Sequence, residues 1–74
     1  HMTYVPNKYD EAVDRFRHLR ESEDYRTLHI FHAQRIGVDK YQQLASLAEQ
    51  EGKSPGRYFT WLLKREPSNA WIHY

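Results

Sequence analysis

The chain has 74 residues, a formal net charge of +1 and no cysteine. This length fits one small domain with slim stability. The missing thiols exclude a disulfide framework and any thiolate metal site, which favours a cytoplasmic setting. No apolar run approaches the roughly 20 residues needed to span a bilayer, so no membrane partner is expected.

Residues 1–6 read as a cloning scar, His1-Met2, followed by a short N-terminal arm. The scar marks residues 7–74 as a single small helical domain taken from a longer protein. Asn7 is a good N-cap, and Asp10 puts negative charge in the first turn that follows. Tyr9, Ala12, Val13, Phe16 and Leu19 recur at helical spacing, predicting a first helix over about residues 8–21. Its other face carries Arg15, Arg17 and Arg20, with Arg26 following. Interleaved with Asp10, Glu11, Asp14 and Glu21, these bases are expected to form a self-neutralised, solvated face rather than a phosphate-binding strip.

Ser22 or Asp24 can cap a second helix. Tyr25, Leu28, Phe31 and Ile36 form its expected inner face, widened by Ile30 and Ala33. His29 and His32 are spaced to share one helix face, but no third ligand stands at a recognised spacing. They read as a surface or edge pair, and no metal or cofactor is expected. His18 and His73 stand isolated in the sequence. Gly37 suits a left-handed helix stop.

The third helix is expected to be capped by Asp39. Its inner face comprises Tyr41, Leu44, Ala45, Leu47 and Ala48, and Gly52 sits at its C′ stop. Ser54 then caps a fourth helix with Pro55 in its first position, where the missing N–H is not needed. Tyr58, Phe59, Leu62 and Leu63 point inward, with Trp61 at the edge. Pro67 and Ser68-Asn69 end this helix. Ala70-Trp71-Ile72-His73-Tyr74 is apolar enough to be expected to fold back on the body. The predicted class is all-α: a compact bundle of about four short helices, the third and fourth helix-turn-helix-like.

Charge is unevenly distributed. Residues 1–52 carry seven Lys or Arg against nine Asp or Glu, whereas residues 53–74 carry four against Glu66 alone. Ala48 and Gly52 have the spacing of the small residue and turn glycine of a helix-turn-helix. In that reading the fourth helix enters the major groove by its N-terminal end. Lys53, Ser54, Arg57, Thr60, Lys64 and Arg65 are then the candidate nucleic-acid-binding residues. Arg57 would meet a guanine edge or a phosphate, and Lys53 and Ser54 a phosphate oxygen. The residues flanking Gly52 are Glu51 and Lys53 rather than apolar ones, and Glu49 and Glu51 would repel phosphate. A plain helical hairpin with generic stop and start signals is the competing reading.

The segment Ser54-Pro55-Gly56-Arg57-Tyr58-Phe59 with Trp61-Leu62-Leu63, within residues 48–63, resembles a stretch near the C-terminus of replication-associated proteins of plasmids and other mobile elements. The resemblance implies a DNA-transaction context and a domain that contacts DNA or a replisome partner. It implies no catalytic residue.

Neither a nucleophile elbow nor a phosphate-cradling glycine loop is present, so no enzyme activity is expected. Two partner classes remain. Duplex or single-stranded DNA fits the basic stretch and Arg57. Another protein, or self-association, fits an aromatic patch built from Trp61, Trp71 and Tyr74, since Trp, Tyr and Arg dominate hot spots.

Overall fold

A computed structural model describes residues 7–67. Every regular element among them is helical: α1 (Lys8–Arg15), two 3-10 turns (Arg17–Leu19 and Glu23–Tyr25), α2 (Arg26–Ile36), α3 (Val38–Glu49) and α4 (Pro55–Arg65). The all-α bundle of four helices is thus the observed architecture. None of these helices is long and apolar enough to cross a membrane. Trp71, Tyr74 and the segment containing them lie outside the described residues.

Asn7 caps α1 as expected, its side-chain oxygen accepting from the Asp10 amide at 2.9 Å. The helix is shorter than the apolar periodicity predicts, ending at Arg15. The chain then tightens into the first 3-10 turn, and the Leu19 amide donates to the Phe16 carbonyl at 2.9 Å. Arg20 replaces what the break removes. Its guanidinium donates to the Val13 carbonyl at 3.2 Å, an acceptor that a continuing helix would have given to a backbone amide. Leu19 is thereby carried into the core.

The second 3-10 turn starts at Ser22, whose hydroxyl accepts from the Asp24 amide. The helix it leads into buries Ala33 and Ile36 as expected, but His29 and His32 complete its inner face in place of Leu28 and Phe31. His29, His32, Ala33 and Ile36 are buried, while Tyr25, Leu28 and Phe31 are 37%, 37% and 55% exposed. Apolar residues occur on every side of α2, so periodicity does not select a face. The choice is made by a polar partnership, since His29 is the side chain that finds a buried hydroxyl on α3.

Gly37 joins α2 to α3 with φ 94°, the only described residue with positive φ. Its amide closes α2 on the Ala33 carbonyl, and its own carbonyl accepts from the Tyr41 amide to open α3. Gly37, not Asp39, therefore occupies the cap of α3, and Asp39 lies in its first turn. Tyr41, Leu44, Ala45 and Ala48 face inward as expected, whereas Leu47 is 43% exposed. Gly52 also departs from expectation. It has no positive φ, and α3 ends at Gln50 through short bonds to Leu47 and Ala48.

Pro55 occupies the start of α4, and Phe59, Leu62 and Leu63 are buried. Ser54 precedes it as the cap residue but makes no side-chain capping bond. At the centre of the bundle the Tyr41 and Phe59 rings meet edge-on at 5.1 Å, and His29 meets Phe59 edge-on at 5.3 Å. Such aromatic geometry adds roughly 1 kcal/mol per pair beyond area burial.

Candidate nucleic-acid interface

The first turn of α4 lies tight against the end of the first 3-10 turn. A Cβ built on Gly56 would stand 2.9 Å from the Leu19 carbonyl oxygen and 3.5 Å from the Glu21 side chain. Gly56 is therefore not an outward residue. Thr60, one turn on, is half-buried; its hydroxyl donates to the Gly56 carbonyl at 3.0 Å and lies 3.5 Å from a Glu21 oxygen. It borders the face rather than forming part of it. The N-terminal end of α4 is thus crowded by backbone and a carboxylate on one side.

The C-terminal end is fastened differently. Arg35, from the last turn of α2, donates to the Leu63 carbonyl at 2.6 Å and to the Glu66 carbonyl. A cation on the unsatisfied carbonyls of a helix C-terminus opposes the negative end of the helix dipole. The same guanidinium donates to His32 Nδ1 at 3.1 Å. Lys40 reaches the Glu66 carboxylate at 3.9 Å.

Between these two fixed ends, α4 turns Arg57, Trp61, Lys64 and Arg65 to solvent, with Lys53 and Ser54 exposed just before it. Trp61 is 52% exposed. Its ring lies nearly parallel to that of Tyr58, at 5.9 Å and 16°, and the Arg65 guanidinium sits 4.5 Å from its centre. Half-buried Tyr58 and exposed Trp61 and Arg65 therefore form one stack along the helix. The spacings of three and four residues that make it are the ones that bring helix side chains together.

Lys53, Arg57, Lys64 and Arg65 make no ion pair among the described residues. Most bases elsewhere are engaged. Arg26 forms a forked pair with Asp14 at 2.9 and 3.1 Å, and Arg20 grips both oxygens of Glu23 at 3.1 Å with its side chain 3% exposed. Arg17 lies 4.0 Å from Glu23, and Arg35 is committed to carbonyls. Arg15 on α1 likewise has no acidic partner. The Asp14 carboxyl is held below the usual range chiefly by its bond to Arg26. The α1 side is largely self-neutralised, Lys8 and Arg15 being its bases without an ion pair among the described residues, and positive charge is left open on α4.

Glu49 is engaged within the protein. Its carboxylate takes a 2.6 Å bond from His18, a histidine that stands isolated in the sequence but not in the fold. Sequence reasoning also misplaced the other histidines. His29 is 1% exposed and His32 is 8% exposed, so neither is a surface or edge residue. His29 Nδ1 pairs with the Tyr41 hydroxyl at 2.9 Å, and its Nε2 has no protein partner. Burial, reinforced by nearby Arg20 and His32, pulls the His29 pKa down to about 4, and burial also lowers that of His32. Both are neutral core groups at neutral pH. Among the described residues no three His, Asp or Glu side chains converge on a common point.

No protein-family model, no curated protein and no solved structure matches the chain.

Proposed function

We propose that the protein is a non-catalytic helical DNA-binding domain whose contact surface is the outward face of α4. The observation that carries this reading is the set of exposed cations Lys53, Arg57, Lys64 and Arg65 on one short segment, none of which makes an ion pair among the described residues. Unpaired side-chain cations on one face are what a phosphate backbone needs, because each contact releases a condensed counterion. The likeness to replication-associated proteins of plasmids and mobile elements supports the same context. A groove-inserting helix-turn-helix receives less support, because the first turn of α4 is crowded by Leu19 and Glu21 and Gly52 lacks the turn conformation.

Binding of short single- and double-stranded DNA, titrated across salt concentration, tests the proposal. The expected result is an affinity that falls steeply and log-linearly with salt. No binding at low salt beyond that of a control protein of similar charge overturns it.

One observation favours a second reading, contact with another protein. Leu28 and Phe31 are exposed together on α2. An exposed apolar strip of this kind can mark a protein interface.

A further inference from the structure

The geometry points to single-stranded DNA as the ligand of the α4 face, with a nucleobase stacking on Trp61 while the neighbouring cations hold the flanking phosphates. This rests on the reading of α4 as a DNA-binding surface and deepens it. Non-specific single-strand recognition combines open aromatic faces with unpaired positive charge along the strand path. On α4 a half-exposed indole, with the Arg65 side chain over its face, occurs together with such charges. Trp61 is half exposed at the middle of the face, and Arg57, Lys64 and Arg65 surround it without acidic partners.

The stack supplies the detail. Tyr58 supports the indole in near-parallel contact, which fixes the orientation of the ring. The Arg65 guanidinium, planar and weakly hydrated, sits 4.5 Å from the ring centre, in the place a base would take. A base entering there exchanges one planar π partner for another. Arg65 is then released toward the phosphate beside that base. A duplex offers no such exchange, because its bases are already stacked and the indole would abut the backbone instead.

One further feature agrees. The end of α4 that would enter a major groove is the crowded one, carrying the Glu21 carboxylate beside Gly56 and Thr60. DNA rather than RNA follows from the reading of α4 as a DNA-binding surface, and the comparison with oligouridine below checks it.

The chain contains two tryptophans, so the Trp71→Phe variant leaves Trp61 as the sole indole reporter. Its fluorescence is titrated with oligodeoxythymidine of about ten nucleotides, a blunt duplex of equal length and the matching oligouridine. Trp61→Ala and Trp61→Phe variants are compared by anisotropy with labelled strands, their folding checked by circular dichroism. The expected result is quenching by oligodeoxythymidine and weaker binding of the duplex. Trp61→Ala should lose about fivefold or more in single-strand affinity, with substantial recovery in Trp61→Phe. Equal or tighter duplex binding, absence of quenching, or an unaffected Trp61→Ala variant overturns the stacking assignment. Salt-dependent binding in those cases leaves the phosphate-binding reading intact. Tighter binding of oligouridine overturns the choice of DNA. Binding of no strand at low salt overturns both readings, and a Trp61-dependent, concentration-dependent mass would then assign the face to self-association.

Discussion

His29 Nδ1 lies 2.9 Å from the Tyr41 hydroxyl in the middle of the bundle, while the other ring nitrogen of His29 has no protein partner. The imidazole is thus half satisfied and fully enclosed, and burial disfavours its charged form. Arg20 and His32 are the charged and titratable groups of its surroundings from the α1 side and its own helix, and Tyr41 is that of α3. From α4 it meets the Phe59 ring.

This enclosure predicts acid lability. The folded-state His29 pKa of about 4 lies below the ordinary 6.5, so the unfolded chain binds the proton more readily. Stability is full above about pH 6.5 and falls progressively as pH drops toward about 4, with His32 acting in the same direction. Between about pH 7 and 5, His29 alone should cost about 2 kcal/mol. Urea unfolding at stepped pH measures this, and His29→Phe should flatten the profile. A profile unchanged by that substitution would contradict the assignment.

Two glycines should respond oppositely to alanine. At Gly56 the added methyl meets the Leu19 carbonyl at 2.9 Å, and that neighbour is backbone. Gly56→Ala should therefore destabilise by about 1–3 kcal/mol through overpacking. At Gly52 nothing lies within 4 Å and φ is not positive, so Gly52→Ala should be neutral or stabilise by up to about 1 kcal/mol. Thermal melts of the two variants decide the matter.

Arg35→Met should loosen the end of α4. The change removes the donor from the Leu63 and Glu66 carbonyls and from His32 while keeping much of the side chain's bulk. A loss of about 1.5–3 kcal/mol is expected for charge-assisted bonds of this kind. Hydrogen exchange should show the greatest loss of protection in the last turn of α4.

Arg57→Ala and Lys64→Ala should leave the melting temperature unchanged, because neither residue makes an ion pair or is buried. Each should weaken DNA binding and reduce the slope of log affinity against log salt by about 0.7 to 0.9. Affinity measured at three or more salt concentrations gives the slope. An unchanged slope in both variants would exclude these side chains as phosphate contacts.

How far the sequence discloses this arrangement depends on the element. The Asn7 cap, the Pro55 start and the inward placement of Phe59, Leu62 and Leu63 on α4 follow from local chemistry, and each is where the residues place it, whereas Tyr58 is only half-buried. The outcome for α2 differs because its apolar residues surround the axis. Its orientation rests on a histidine–tyrosine bond spanning two helices, which no periodicity encodes. The shortening of α1 goes with Arg20 folding back to Val13, and Glu49 is hydrogen-bonded by His18 from a distant turn. These are tertiary pairings. At the candidate site the basic stretch over residues 53–65 is legible in the chain, whereas the Tyr58, Trp61, Arg65 stack is not, because Tyr58 reads as an inward residue. The withdrawal of Thr60 and Gly56 from the surface is not legible either, since it arises from the approach of the first 3-10 turn.

The contact at Gly56 and the Arg35 clasp together act as two nails in a plank. With its first turn seated on the Leu19 carbonyl and its last held by a guanidinium, α4 has little freedom to roll or slide. The backbone positions of Arg57, Trp61 and Arg65 are therefore set by folding, before any partner arrives, and the Arg65 side chain is what moves when a base enters. A flexible strand meeting this helix must adapt to the protein, and the ordering cost on binding falls on the ligand.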